Sequence, residues 1–593
     1  MVDREVEGWV AVGPLADLID GEPKVVRGAH HSIAVFAATD RGAAKVWAVD
    51  NRCPHMGFPL SRGTICDGVL TCHWHHARFE LETGGTFDPF ADDVAVHAIC
   101  VVDGVVYVDP EARRGGDRLA RESARLRLGM EQELNLVLAK SVLGLLADVE
   151  DVGVNSALSV GAGFGVTQRR AGWGAGLTIL TAMENIVDRL DEEDRAIALF
   201  HGLVHVAGDS AGMAPRFPQT ALPTRSVDRA RLRAWFRNLI DVRNADGAER
   251  VLAAALASGV SLADSGEILM AAATDHFYVS GDHVLDFTNK AVELLIRTGG
   301  DAEQSSLVLG SLVRGLATST RSEEQNAWRS PIDLVDLARL GIAALPERLA
   351  AARVAAPLDL DAFANHLLAD DPRHVIGALD HAFQQGVAPA EVALGLCVAA
   401  VVRVARFSTA NEFGDWITVL HTLTYCNALH RGLTRTPTPE VARGIYHGAI
   451  SLYLDRFLNV PPARMPEERD DPGATGDTVR ARLLDQLDRQ GAVQEAAALV
   501  DGYLRRGEPA GPLWAALGAC LVREDAEFHT YQMVEASARL FGELAPRAPE
   551  LARVCAIATA RYLAAHAPTQ RELLQTARIA QRLRRGEGDA AAP

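Results

Sequence analysis

The chain has 593 residues, 48% of them hydrophobic and 23% charged, and 77 acidic residues outweigh 59 basic ones to leave a net charge of −18. A chain this long needs more than one core, so several compact units are expected, and the acidic balance argues against nucleic acid or an anionic membrane as a partner. The opening MVDREVEGWV has four charges and no apolar leader core, and no apolar run reaches the roughly 18 residues of a membrane span, so a cytoplasmic protein is expected.

The amino-terminal stretch reads as β. Val25–Val26, Ser32–Ala37 and Val46–Val49 are short β-rich runs, and Cys100–Val108 reads as two strands around an Asp103–Gly104 turn. A charged, Gly-bearing linker at 111–118 follows this first domain, 1–110. From 119 to 586 apolar residues recur every three or four positions, as in Leu134–Leu146, Leu177–Leu190 and Leu334–Leu345. That spacing predicts an all-helical region of roughly eighteen to twenty helices. Ser280, Thr438 and Asp525 are placed to cap helices, and the Pro-rich stretches Gly208–Ser226 and Asn459–Thr478 are expected to be irregular. A tail, 587–593, ends the chain. The fold class expected is multidomain: a small all-β domain followed by a large all-α domain.

Four of the eight cysteines, Cys397, Cys426, Cys520 and Cys555, lie in apolar helical segments and read as small buried hydrophobes. The other four fall between positions 53 and 100, among histidines. Cys53-Pro54-His55 is followed after sixteen residues by Cys72-His73-Trp74-His75. Two such loops can converge on a [2Fe–2S] cluster, with Cys53 and Cys72 on one iron and the neutral imidazoles of His55 and His75 on the other, which raises the potential above that of an all-cysteine cluster. Zinc fits less well, because zinc fingers pair cysteine with cysteine and histidine with histidine, whereas each arm here pairs one of each.

The segments NRCPHMGFPL and CHWHHARFELETGG resemble Rieske domains of the bacterial ferredoxin and oxygenase type over about Gly8–Pro110. Phe58 and His73-Trp74 leave no place for the disulfide of the respiratory type, and Cys66 and Cys100 are expected to be free core thiols. The resemblance implies a potential at the low end of the class, since Ala77 and Phe79 stand where respiratory domains place hydroxyl donors. His76 stands where the family usually has glycine and competes as a ligand with His75, whose spacing is the expected one; His73 is expected at the surface or just behind the ligands, and Trp74 is expected to shield the site.

An electron carrier does not choose a reaction, so the helical region must supply the rest. Ring-hydroxylating oxygenases place a carboxylate three residues before the first iron-binding histidine, but Ala198 precedes His201 here, and the surroundings are helical. His201 and His205, four apart, project from one helix face and could share a metal. Other polar residues stand out in apolar helical settings: His276, His283, Asp286 and Lys290, then His421, His430 and His447, and finally Glu524, Asp525 and His529. His366, His374 and His381 sit beside charges and are expected to face solvent.

HGLVHVAGD and LWAALGACLVREDAEFHTYQM resemble two stretches of questin oxidase-like proteins, helical enzymes that use oxygen on polyketide anthraquinones. The resemblance implies a non-haem iron and carries over His201, His205 and His529, with Gly202 in place of a proline and Asp525–Phe528 lengthening the last motif. His283 is expected as a further metal ligand. Lys290, one of only four lysines, lies seven residues after His283 and is the candidate for a carboxylated lysine ligand. Asp286 and Asp525 are the carboxylates expected to orient imidazoles or move protons.

Two functions compete. The first is an oxidoreductase of oxygenase type, in which a reductase or ferredoxin feeds the cluster and the cluster feeds a mononuclear iron acting with O₂ on an apolar or aromatic, even polycyclic, substrate. The second is a non-enzymatic electron carrier or redox sensor with a helical interaction scaffold. The first predicts about three irons per chain, the second two.

Overall fold

The computed structural model describes residues 8–19, 21–40, 43–113, 117–147, 150–223, 228–278, 283–351, 357–467 and 473–585. Ser280 and the tail 587–593 lie outside the described residues, as do parts of the linker and of both Pro-rich stretches. The chain divides into two compact units, Met1–Ala157 with Gln575–Pro593, and Leu158–Leu574.

Among the described residues of the first unit, nine strands form two antiparallel sheets. They are β1 (Val10–Pro14), β2 (Lys24–Arg27), β3 (Ser32–Asp40), β4 (Ala43–Asp50), β5 (Thr64–Cys66), β6 (Val69–Thr71), β7 (Arg78–Glu80), β8 (Val96–Val102) and β9 (Val105–Arg113). The larger sheet runs β1-β9-β8-β4-β3-β2 and the smaller β5-β6-β7. The hairpin expected at Asp103–Gly104 joins β8 to β9, and both turn residues have left-handed backbone, with φ of 49° and 77°. Such a two-residue turn matches the twist of its strands. Ala34, Phe36, Trp47 and Val49 of the larger sheet share one apolar cluster with Leu70 and Phe79 of the smaller, and Cys53 and Cys72 belong to it.

The first unit does not end where the sheet ends. Two helices, Arg118–Glu131 and Asn135–Leu145, belong to it, as does the end of the helix Glu572–Arg584. The contacts responsible are long-range and polar. Arg125 reaches Asp92, Lys140 reaches the backbone of Pro54 and His55, and Arg52 donates to the Leu583 carbonyl at 2.7 Å. Composition alone therefore puts the boundary at 111–118, about forty residues before the end of the unit's first segment at Ala157.

Among the described residues of the second unit the regular elements are all helices, joined by turns and loops. The expected segments appear as Ala175–Ile186, followed by a turn at Val187–Arg189, and as Leu334–Ala351. Thr438 caps the short helix Pro439–Ala442. Asp525 does not cap the helix that follows it. Glu527 does, accepting from the backbone N–H of His529 and Thr530, while Asp525 accepts from those of Glu572 and Leu573 at the start of a later helix. The helix carrying His201 and His205 continues through Gly208 to Ser210, so the first Pro-rich break begins three residues later than expected. Among the described residues no helix is long and apolar enough to cross a membrane.

Candidate functional site

Cys53 and His55 lie in the loop after β4, and Cys72 and His75 in the connection from β6 to β7. The two loops have the same closure. Cys53 N–H donates to Phe58 O at 2.8 Å, and Cys72 N–H donates to Ala77 O at 2.9 Å. Gly57 and His76 take left-handed backbone, with φ of 88° and 61°. That explains why glycine suits position 76, where His76 bears the cost of a side chain in this region.

The donors converge. The rings of His55 and His75 are 4.7 Å apart at 83°, and the Nδ1 atom of His55 is buried with no protein partner. The two thiols lie within hydrogen-bonding reach of each other, so they titrate as a pair. That contact with Cys72, with burial, pushes Cys53 up. The same contact, aided by the N–H groups of Trp74 and His75, draws Cys72 down to about 6. Burial, with His75 and Lys140 nearby, lowers His55 to about 4, so its imidazole is neutral and offers a lone pair at pH 7. Two sulfurs beside two imidazoles suit a [2Fe–2S] cluster of the mixed-ligand type. Trp74, 38% exposed, packs against Phe58 at 5.1 Å and meets the His75 ring edge-on at 6.0 Å. Ala77 and Phe79 are fully buried and bring no hydroxyl. Cys66 and Cys100 form no disulfide, but Cys66 is exposed rather than in the core. His73 is exposed, as expected.

A second set of donors lies in the helical unit. His283 precedes the helix Val284–Thr298, His421 is inside Phe413–Arg435, and His529 is in the first turn of Phe528–Leu544. One ligand nitrogen from each lies within 4.8 Å of the other two, close enough for the three to share a metal. Two imidazoles are held from behind by carboxylates. His283 Nδ1 donates to Asp286 Oδ2 at 3.0 Å, and His529 Nδ1 donates to Glu527 Oε2 at 2.9 Å. Each bond fixes the tautomer that leaves Nε2 free for a metal. His529 Nε2 is buried without a protein partner.

The electrostatics agree. Burial, reinforced by His283 and His529, lowers His421 to about 3. Burial raises the Glu527 carboxyl, but the bonds and charge of His529 and the bond from Tyr562 together outweigh it and bring the group to about 2. Burial likewise raises Asp286, but His283 and Gln532, whose Nε2 donates to it at 2.7 Å, together hold it low. Phe287 stacks on His283 at 5.4 Å, and Phe528 meets it edge-on at 4.8 Å, giving the triad aromatic walls.

Several expected residues fall elsewhere. His201 and His205 do share a helix face, and the Nε2 atoms of both are buried without a protein partner, while His201 Nδ1 is bonded to the Tyr531 hydroxyl at 2.8 Å; among the described residues the two stand outside the His283, His421 and His529 group. Lys290 is fully buried, and its ammonium donates to Glu293 at 3.0 Å and to Glu535 at 2.8 Å. Its amine is engaged by two carboxylates at that range, so Lys290 sits as an ion-paired anchor. Asp525 uses both oxygens on backbone N–H groups and is a cap. Glu524 is tied to Thr569 and Arg571. His276 bridges Glu323 and Asp241, His430 pairs with Glu543, and His447 stacks on Phe277 at 3.9 Å. His366, His374 and His381 are exposed, as expected. Sequence reasoning named His421 without giving it a role and treated Glu527 only as a residue that lengthens a motif.

The buried histidines outside the triad make the helical unit acid-sensitive. Burial lowers His201 and His447 from 6.5 to about 3 each. Unfolded imidazoles take up protons below pH 6.5 while the folded ones stay neutral until about 3, so stability is lost as pH falls through that window. Between pH 6.5 and 5 the pair costs on the order of 4 kcal/mol. The urea midpoint of the helical unit is expected to drop on moving from about pH 7 to about pH 5. An unchanged midpoint contradicts these burial assignments.

The paired loops, their mixed donors and the two-sheet frame define an iron–sulfur electron-transfer domain, and residues 8–97 are a Rieske [2Fe-2S] domain. The chain is 28% identical over 110 residues to the ferredoxin subunit of anthranilate 1,2-dioxygenase from Burkholderia cepacia, covering 18% of this chain and 98% of that protein. It is 36% identical over 76 residues to an oxygenase component of 3-ketosteroid-9-alpha-monooxygenase from Rhodococcus rhodochrous, covering 13% of this chain and 19% of that protein. Another probable oxygenase component from that organism is matched over 31% of its length, at 29% identity across 20% of this chain. The chain thus spans under a third of these oxygenase components. Among solved structures, the ferredoxin of carbazole 1,9a-dioxygenase from Nocardioides aromaticivorans IC177 is 24% identical, with a TM-score of 0.16 over 17% of this chain and 98% of that one.

Proposed function

We propose that this protein is an iron–sulfur oxidoreductase of oxygenase type, in which electrons accepted by the Rieske domain serve a mononuclear non-haem iron held by His283, His421 and His529. The observation that carries this reading is the meeting of three imidazoles from separate helical segments, two of them fixed by carboxylates, in an aromatic setting. Cys53, His55, Cys72 and His75 hold the cluster, whose chemistry is reversible one-electron transfer. Iron bound by three neutral imidazoles keeps open coordination positions, and the chemistry it supplies is the reductive use of O₂.

The chain's own residues prepare the triad. Asp286 and Glu527 orient two of its rings, burial keeps His421 neutral, and Phe287 and Phe528 restrict water and offer surface to an apolar or aromatic substrate. The electron donor is a ferredoxin or an NAD(P)H-dependent reductase. Relatives named as a dioxygenase ferredoxin subunit and as monooxygenase oxygenase components support the setting.

The test is a single turnover. Full-length protein is reduced without oxygen and mixed with O₂, and the cluster's visible absorption is followed. His421→Ala is expected to slow reoxidation at least about tenfold relative to wild type, because the acceptor in the helical unit is gone. Equal rates in the two proteins overturn the oxygenase reading and leave an electron carrier or sensor.

A further inference from the structure

We propose that Lys140 is a positioning residue for the iron–sulfur site: from a helix outside the Rieske segment, its ammonium clamps the His55 loop and supplies a fixed positive charge that raises the cluster's reduction potential. Lys140 lies on the helix Asn135–Leu145, beyond the residues 8–97 that match the Rieske family. Its Nζ donates to the carbonyl of Pro54, to that of His55 at 3.0 Å and to Asp92 Oδ2 at 3.1 Å. All three ammonium protons are therefore used, two of them on consecutive carbonyls of the loop that presents His55.

The choice of residue is informative. The chain has four lysines among 59 basic residues, so arginine is its ordinary cation. A planar guanidinium cannot direct three donors tetrahedrally from one atom onto two successive carbonyls and a carboxylate, whereas an ammonium can. The Lys140 side chain is 13% exposed, so its charge is only weakly screened. Asp92, which also pairs with Arg125, opposes that charge from the same place. Reduction adds one negative charge to the site. The Lys140 cation therefore favours the reduced state and Asp92 disfavours it.

The experiment uses full-length holoprotein, titrated in potential and followed by electron paramagnetic resonance, for wild type, Lys140→Met, Lys140→Arg and Asp92→Asn. Lys140→Met is expected to shift the potential downward and Asp92→Asn upward. Lys140→Arg, which keeps the charge and loses the clamp, is expected to fall between Lys140→Met and wild type. An unshifted Lys140→Met, or shifts of the same sign in Lys140→Met and Asp92→Asn, overturns the proposal, since simple loosening moves both alike. Should Lys140→Met fail to retain its cluster, Asp92→Asn decides alone: a raised potential supports the assignment and an unchanged or lowered one overturns it. The inference rests on the cluster reading of His55, and the two fail differently. A wild type without a cluster signal sinks that reading, whereas a normal wild type with unshifted variants sinks only the role of Lys140.

Discussion

Cys72→Ala is expected to lose the cluster entirely, and Cys53→Ala to do the same. Both sulfurs sit in the apolar cluster between the two sheets, 1% and 3% exposed, with backbone N–H groups directed at them. A thiolate there is tolerated because metal and backbone donors compensate its charge; alanine supplies neither charge nor bond. Iron should fall from about three per chain to about one, with loss of visible colour, while the separate helical unit stays folded. Cys66→Ser and Cys100→Ser, at free thiols outside the ligand loops, should keep full iron. Iron and sulfide analysis of the four variants decides the matter. Retained iron in Cys72→Ala, or loss in Cys66→Ser, places the cluster on the wrong cysteines.

His421→Ala and His529→Ala are each expected to remove one iron per chain and leave the Rieske signal intact. Every imidazole is a third of the triad, and the ring of His421, from inside a 23-residue helix, lies 4.7 Å from that of His283 and 4.8 Å from that of His529. Glu527→Gln tests the support behind His529. The amide keeps the size but weakens the charged bond at 2.9 Å, so metal affinity should fall about 10- to 100-fold. His201→Ala and Lys290→Met carry the opposite expectation. The first loses a bond to Tyr531 and the second breaks a buried ion pair, costing about 3–5 kcal/mol, but the iron stays. If His201→Ala loses the iron and His421→Ala keeps it, the triad is misassigned.

What could be read from the sequence was what is local. The Cys-x-His and Cys-x-x-His loops place two donors each within four residues, so spacing alone predicts their joint use. The Asp103–Gly104 hairpin is equally local, since both residues tolerate left-handed backbone. The helical site has no such signature. His283, His421 and His529 are separated by more than one hundred residues at each step, and only tertiary packing brings them together. The i,i+4 pair at His201 and His205 looked more like a ligand pair, yet helical spacing brings such residues together whether they bind metal or not. Lys290 was conspicuous through its rarity, but the deciding carboxylate, Glu535, is 245 residues away. Asp525 and Glu527 differ by two positions. The order of capping between them depends on where a later helix begins.

Two cysteines and two histidines near the amino terminus are assigned to one redox-active iron–sulfur centre. Pulsed electron paramagnetic resonance of the reduced protein, grown with ¹⁵N-labelled histidine, tests it most directly. A paramagnetic signal coupled to two histidine nitrogens is expected, with one coupling lost in His55→Cys and one in His75→Cys. A silent reduced protein, or a signal with no nitrogen coupling, contradicts it.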